Sequence, residues 1–277
     1  MPAHDRPLHA APAGAPAPLP LSDRQAAENA LFPWADVYTF PGRPLVVWAI
    51  PKAGCSAVKR WLLGHAEPGP EDRWAPDVHT YIRPRYSIKL LDDAERARRL
   101  ASDRTLAFVR DPIARVVSAY VDKFVIRDHD HLFAPAREMT ALLGARGLTF
   151  RQFVDILTHT PDDHLDVHWR PQTRWFAIHT PAEILPIERL SATLAALDAD
   201  AGIPAAALPH LAKPSNPTEY TRSDGVLHTD TPSDVLKARD LRPGPVALVD
   251  DDTRAAILRR FADDLDLYRR AVGRTSP

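Results

Sequence analysis

Lys52 and Ser56 directly follow a short apolar segment, LVVWAI at residues 45–50, and could together bind an anion. The segment has the pattern of a strand that is buried on both faces. Gly54 lets the backbone turn with a positive φ, and we expect Ser56 to cap a helix whose apolar face includes Trp61. Because free N–H groups at a helix N-terminus bind phosphate-like anions, the segment predicts an anion site. An ordinary strand–helix turn with a basic surface would have the same pattern.

The segment lacks the signatures of two common phosphate-binding loops. No Gly-Lys-Ser/Thr follows a glycine at the spacing that nucleotide triphosphatases use. A cysteine phosphatase loop built on Cys55 would need an arginine where Trp61 stands, and Arg60 comes one position too early. The anion is therefore expected to be bound by another kind of loop.

A second strand–helix pattern covers residues 105–122, TLAFVRDPIARVVSAYVD. A short strand is predicted to end before Arg110, and Pro112 suits the first turn of the helix that follows. Ser118 lies about two turns into that helix. Because a guanidinium fork suits a phosphate dianion, Arg110 and Ser118 form a second candidate phosphate site. Asp111 stands where a carboxylate would cap the helix.

Three strings, taken in order, resemble the motifs of one protein family. PKAGCSAVKRWL resembles the 5′-phosphosulfate-binding loop of the carbohydrate sulfotransferases that use 3′-phosphoadenylyl sulfate (PAPS). RDPIARVVSAYVDKF resembles their 3′-phosphate motif, and DHLDVHWRPQ, residues 163–172, resembles a stretch of the chondroitin, dermatan and HNK-1 type enzymes of sulfotransferase family 2. The resemblance covers roughly residues 45–268 and is dense only at the three motifs.

The resemblance implies a fold, a reaction and a set of donor-binding residues. The fold would be α/β and P-loop-like, with a central, mainly parallel sheet flanked by helices. The reaction would transfer the sulfuryl group of PAPS to an acceptor hydroxyl, on a carbohydrate or a glycosylated small molecule. The residues implied are, around the phosphosulfate, Pro51, Lys52, Ala53, Gly54, Cys55, Ser56, Ala57 and Lys59, and, around the 3′-phosphate, Arg110, Asp111, Pro112, Arg115 and Ser118.

Sulfuryl transfer is an in-line displacement in which negative charge grows on the leaving phosphate oxygen, so it needs a fixed cation there and a base beside the acceptor. Lys52 is our prediction for the cation. His79 is the first candidate for the base, because related heparan sulfotransferases place their catalytic histidine between the two phosphate motifs. His168, in the third motif, is the second candidate, ahead of Asp77 and Glu188. The scheme requires no metal.

Two other functions fit the same motifs. A P-loop kinase or nucleotide hydrolase would also bind phosphates between a strand and a helix, although the missing Gly-Lys-Ser/Thr element disfavours it. A non-catalytic module that binds PAPS or its product PAP would use Lys52, Arg110 and Ser118 and would not need a base.

Composition narrows the class of protein further. With 35 basic and 36 acidic residues among 277, no global charge favours nucleic acid or an anionic membrane as a partner. One cysteine excludes an internal disulfide framework. No apolar run approaches a membrane span, and the N-terminus lacks the apolar core of a signal peptide. We therefore expect a soluble, cytoplasmic protein, and the Ala, Arg, Pro and Asp richness is of bacterial type.

The predicted organisation is a disordered Ala/Pro-rich leader over residues 1–20 and a single sulfotransferase domain over residues 21–277. A short helix at residues 23–31 would be followed by an aromatic lid on the sheet edge, made of Phe32, Trp34, Tyr38 and Phe40. Residues 67–85 would form a polar connection around His79. We do not expect the Asp-His repeat at residues 128–131 to bind metal. Residues 199–240 are predicted to form a long variable loop or an acceptor-facing segment. One C-terminal helix is predicted over residues 251–268.

Overall fold

A four-stranded sheet lies at the centre of the part of the chain that the computed structural model describes, residues 29–69, 77–126, 147–201, 220–221 and 225–273. The strands β1 to β4 lie side by side in chain order. The antiparallel β1 pairs with β2, and β2, β3 and β4 are parallel. Their bounds are Val37–Thr39, Leu45–Trp48, Arg104–Val109 and Glu183–Pro186. The prediction of a central, mainly parallel sheet is confirmed.

Both faces of the sheet are covered, which explains the unbroken apolar run in β2. Successive side chains of a strand point to opposite faces. Val47 and Phe108 therefore pack in one buried cluster with Trp61, whereas Val46 and Val109 pack in another on the opposite face. The sheet is thus the middle of three layers.

Helices form the two outer layers and a third buried cluster beside the sheet. The described helices α1 to α10 are Cys55–Ala66, Val78–Tyr86, Asp93–Ser102, Pro112–Tyr120, Phe150–His159, Leu190–Asp200, Ser233–Ala238, Pro245–Leu248, Asp251–Arg260 and Ala262–Gly273. A π-helix, Val121–Ile126, continues from α4. Short 3₁₀ segments are Trp34–Asp36, Ile88–Leu90, Asp162–His164, Gln172–Phe176 and Ile187–Arg189.

The parallel pairing brings the two predicted phosphate motifs together. The loop from β2 to α1 and the turn from β3 to α4 both follow the carboxyl ends of neighbouring parallel strands. In open α/β sheets this edge is where ligands bind. The fold therefore positions residues 51–57 beside residues 110–112.

Four local predictions are wrong. Ser56 does not cap α1; the N-cap is Gly54, in the left-handed region. Tyr38 does not belong to a lid, because it lies in β1, an edge strand. The predicted polar connection around His79 contains α2, which includes Pro84. The single C-terminal helix is two helices that meet at Phe261, whose non-helical backbone, φ −114° and ψ 34°, ends α9.

Several predicted features lie outside the described residues. These are the leader at residues 1–20, most of the helix at residues 23–31, the Asp-His repeat at residues 128–131 and much of the segment 199–240. Among the helices that are described, none is both long and apolar enough to cross a membrane.

Candidate functional site

The loop between β2 and α1 contains two residues with left-handed backbone. Lys52 has φ 65° and Gly54 has φ 85°. A non-glycine residue rarely adopts such a conformation, and it is found most often where function requires it. A Cβ atom on Gly54 would lie 2.8 Å from Cδ2 of Leu190, so any other residue there would also have to displace that side chain. The loop is therefore held in a specific, strained shape at the N-terminus of α1.

Two arginines of the second motif donate hydrogen bonds to backbone carbonyls of this loop. Arg115 is buried, and its Nε atom donates to the carbonyl of Pro51 at 3.1 Å while Nη1 donates to the carbonyl of Arg170 at 2.9 Å. Nη1 of Arg110 donates to the carbonyl of Lys52 at 3.2 Å. Arg115 thus ties the first motif to the third, and its guanidinium is engaged by backbone carbonyls.

Gln172, the last residue of the third motif, brackets the backbone of Arg110. Its Oε1 accepts from the Arg110 N–H at 2.9 Å, and its Nε2 donates to the Arg110 carbonyl at 2.8 Å. The backbone N–H of Gln172 in turn donates to the buried carboxylate of Asp264 at 2.7 Å. The position of Arg110 therefore depends on α10 through this chain of contacts.

The side chain of Lys52 is paired with a carboxylate from the π-helix. Its Nζ lies 3.0 Å from Oδ2 of Asp122, and Nζ of Lys123 lies 3.6 Å from the same oxygen. Burial lowers the pKa of Lys52, and the Asp122 carboxylate opposes that shift. Two cations thus share one carboxylate beside the loop.

His168 forms a histidine–carboxylate pair with Asp166. The ring Nδ1 lies 2.5 Å from Oδ1 of the buried Asp166, which also accepts from the His168 backbone N–H at 2.9 Å. Burial, together with the charge of Lys123, lowers the pKa of His168 to about 4, against the opposing effect of Asp166. The neutral ring donates from Nδ1 to the carboxylate, so its lone pair is on Nε2, as a general base requires.

His79 has different surroundings. Its Nδ1 lies 2.9 Å from Nζ of the buried Lys59, and its Nε2 lies 3.2 Å from Oγ of Ser56. Burial and the positive charge of Lys59 lower the pKa of His79 to about 2. Lys59 itself pairs with Asp36 at 2.9 Å. Both ring nitrogens are thus engaged by neighbouring polar groups.

The other predicted residues divide into helix ends and packing positions. Asp111 caps α4 by accepting from the backbone N–H of Ala114, and Pro112 is the first residue of that helix. Ser118 is buried in α4. Asp77 caps α2, and Glu188 accepts from the hydroxyl of Tyr268 at 3.1 Å.

Sequence reasoning missed several polar residues of this site. Asp122, Lys123, Asp166 and Gln172 all lie inside or next to the quoted motifs, and the polar character of each within an apolar or aromatic string was the available signal. Asp36 and Asp264 lie far from the motifs in sequence, and no local signal identifies them. The described residues include no group of His, Cys, Asp and Glu side chains that could bind a metal.

Comparison with known proteins identifies the family of this chain. A sequence model of the sulfotransferase family matches residues 36–269, which is most of the chain, so the protein belongs to the sulfotransferase family. Two curated relatives are carbohydrate sulfotransferase 8 of mouse and of human. Each is 33% identical over 138 residues, which are 43% of this chain and 32% and 31% of the respective relatives. The match thus spans about a third of the length of these relatives. No solved structure is significantly similar to the chain.

Proposed function

We propose that this protein transfers the sulfuryl group of PAPS to a hydroxyl of a carbohydrate or a glycosylated small molecule. The observation that carries the proposal is the convergence of three elements at one sheet edge: the strained loop, the arginine that follows β3 and the His168–Asp166 pair. Membership of the sulfotransferase family supports the reaction, and the names of the two curated relatives support a saccharide acceptor. The donor site lies in a single domain, and no metal enters the scheme.

In this proposal the loop binds the phosphosulfate and the turn after β3 binds the 3′-phosphate. Backbone N–H groups of residues 54–57 and the side chain of Ser56 face the 5′ end of the donor, at the positive end of α1. Arg110 and Ser118 bind the 3′-phosphate, which distinguishes PAPS from other adenine nucleotides. Lys59 and Arg115, whose charged groups are engaged inside the protein, act by shaping this site rather than by contacting the donor.

Lys52 is the proposed cation at the leaving phosphate. Asp122 holds its ammonium at 3.0 Å, and Lys123 shares that carboxylate. A preorganised charge beside the bond that breaks stabilises the transition state more than the ground state. Asp122 is thus a positioning residue that fixes Lys52.

His168 is the proposed general base, in place of His79. The acceptor hydroxyl gives its proton to Nε2 of His168 as its oxygen bonds to the sulfur, and the sulfur–oxygen bond to the phosphate breaks. The proton that reaches the ring is stabilised by Asp166 across Nδ1. His79 is less suited, because Lys59 occupies the lone pair of Nδ1 and leaves Nε2 as a donor.

A transfer assay tests this function. The purified protein is incubated with PAPS that carries an isotopic label on sulfur and with a panel of saccharides, and labelled sugar is counted. We expect label on at least one saccharide with the natural protein, and labelling slowed by about 10²–10⁴ with His168→Ala. A non-catalytic PAP-binding module would label no acceptor in any panel, and it would have no use for the His168–Asp166 pair. Labelling by His168→Ala at the rate of the natural protein would exclude this residue as the base.

A further inference from the structure

A chain of three polar contacts runs from the start of β1 to the first turn of α1. Oδ1 of Asp36 accepts from Nζ of Lys59 at 2.9 Å, Nζ of Lys59 lies 2.9 Å from Nδ1 of His79, and Nε2 of His79 lies 3.2 Å from Oγ of Ser56. Asp36 and Lys59 are buried. The chain therefore connects a buried ion pair to a residue of the predicted phosphosulfate loop.

The donor and acceptor of each contact in this chain follow from the chemistry of Lys59. A lysine ammonium only donates, so Nδ1 of His79 accepts from Lys59. The neutral ring then has its proton on Nε2, which donates to the oxygen of Ser56. The lone pair of Ser56 that faces His79 is thus used, and its own proton points elsewhere.

We propose that Asp36, Lys59 and His79 form a positioning relay that makes Ser56 a hydrogen-bond donor toward the anion in the loop. His79 is then a positioning residue, not the base. The identity of that anion, the phosphosulfate of PAPS, rests on the proposed function, whereas the direction of the relay does not.

The charges around His79 support a ring that stays neutral. From α1 it faces Lys59; from the segment before β1, Asp36; and from the N-cap of its own helix, Asp77. Arg83 of the same helix contacts Asp36. His168 acts on it from the third motif. Burial and the Lys59 cation outweigh the two carboxylates, and the pKa of His79 falls to about 2. A ring that does not charge keeps the relay in one direction across the working pH range.

The energetics of the buried Asp36–Lys59 ion pair also favour a role in anion binding over a role in protein stability. A buried ion pair is often no more stabilising than apolar side chains of the same size, so its presence calls for another explanation. Asp36 is contacted by Lys59 and by Arg83, whose Nη2 lies 3.0 Å from Oδ2. Because one carboxylate neutralises only one of these two cations, a net positive charge remains close to the N-terminus of α1. That charge favours binding of an anion there.

Histidine tautomer spectroscopy tests the direction of the relay without any nucleotide. The full chain is labelled with ¹⁵N in histidine only, the two nitrogens of each ring are observed through their long-range couplings to the ring protons, and His79→Gln assigns the signals. We expect the His79 ring to be neutral, with the proton on Nε2 and an accepting Nδ1, from about pH 5 to 8. A proton on Nδ1, or a charged ring in this range, would overturn the proposal.

A double-mutant cycle tests the consequence for binding. PAP affinity is measured by calorimetry for Ser56→Ala, His79→Ala and the double variant, with His159→Ala as a control on the exposed end of α5. We expect each single variant to weaken PAP binding by about tenfold. The double variant should bind little more weakly than either single variant, because both substitutions remove the same hydrogen bond from Ser56 to the anion. Fully additive losses would overturn the relay. If PAP does not bind the natural protein at all, the proposed function fails, and the tautomer still decides the direction.

Discussion

Nδ1 of His168 lies 2.5 Å from Oδ1 of Asp166, and Asp166 is buried. Histidine and carboxylate in this order place the ring lone pair on Nε2 and stabilise the ring after it takes up a proton. The same pair lies close enough to Lys52 and Lys123 for both cations to lower the pKa of His168. The base and the cations of the proposed reaction therefore act in one electrostatic environment.

Replacing His168 with alanine should strongly slow turnover and leave donor binding intact. General base catalysis contributes about 10²–10⁴ in rate, and we expect a loss of that size in kcat. PAP affinity, measured by calorimetry, should stay unchanged, because in the proposed mechanism the ring acts on the acceptor hydroxyl and not on the nucleotide. Asp166→Asn should also lower kcat, because the side-chain NH₂ of asparagine would donate to Nδ1 and so favour the wrong tautomer of the His168 ring. A large loss of PAP affinity in His168→Ala would contradict this division of roles.

The rate should depend on the protonation of His168 at acidic pH. The pKa of this ring lies at about 4, below the ordinary value of 6.5, so the base is already neutral at about pH 6 and above. We expect kcat/KM to rise with pH through about 4 and to be level by neutral pH. A rise centred near the ordinary histidine value would contradict a His168 base with a lowered pKa.

Gly54 should be needed both for its backbone conformation and for space. Gly54→Ala would force a Cβ into the left-handed region at φ 85° and to within 2.8 Å of Leu190. Gly42 is the matched control, because it has φ 72° and nothing within 4 Å of its Cβ position. The left-handed region costs about 1–2 kcal/mol for a non-glycine residue.

Urea unfolding of both glycine variants separates the two effects. Gly42→Ala should lose only the conformational cost, whereas Gly54→Ala should lose more and should also bind PAP more weakly. Equal losses in the two variants, with PAP binding kept, would show that the contact with Leu190 and the shape of the loop do not matter.

Gln172 should control the affinity for the 3′-phosphate without contacting it. Gln172→Met keeps the volume but removes both hydrogen bonds to the backbone of Arg110. We expect PAP affinity to fall while AMP affinity changes little, since AMP has no 3′-phosphate. Calorimetric titration with both nucleotides checks this, and equal losses for the two would mean that the whole site has shifted.

Protein stability should fall on acidification in part because His79 resists protonation. Its folded-state pKa of about 2 lies below the ordinary value of 6.5, so the unfolded chain binds more protons throughout that interval. Stability therefore falls as pH falls, and His79 alone accounts for about 2 kcal/mol between pH 7 and 5.

Urea unfolding at both pH values measures this contribution. His79→Gln should lose less unfolding free energy on acidification than the natural protein, by about that 2 kcal/mol. Identical pH dependence in the two proteins would mean that His79 titrates normally in the folded state.

Local sequence patterns predicted the parts of this fold that local physics determines. The apolar runs at residues 45–50 and 106–109 predicted strands, which the structure has at Leu45–Trp48 and Arg104–Val109, and Pro112 begins α4 as expected. By contrast, α2 was missed because Pro84 near its end is typical of a loop. Its existence depends on packing of Val78 and Ile82 against the sheet layer.

The candidate site was predictable residue by residue but not as an arrangement. Lys52, Arg110 and His168 could be selected from their motifs, since residue type and position carry that information. Their partners could not, because the contacts of Lys52 with Asp122 and of Lys59 with Asp36 join residues 70 and 23 positions apart. The order of the two histidines as base candidates is reversed in our proposal for the same reason, because it depends on which side chain faces each ring nitrogen.

Calorimetric titration with PAP, ADP and AMP, on the natural protein and on Arg110→Ala, tests the central claim most directly. The account predicts that PAP binds clearly more tightly than ADP and AMP, and that Arg110→Ala removes this preference while ADP and AMP binding stay as they were. Equal binding of the three nucleotides, or binding of none, would contradict the donor site and bring the kinase or nucleotide hydrolase interpretation forward.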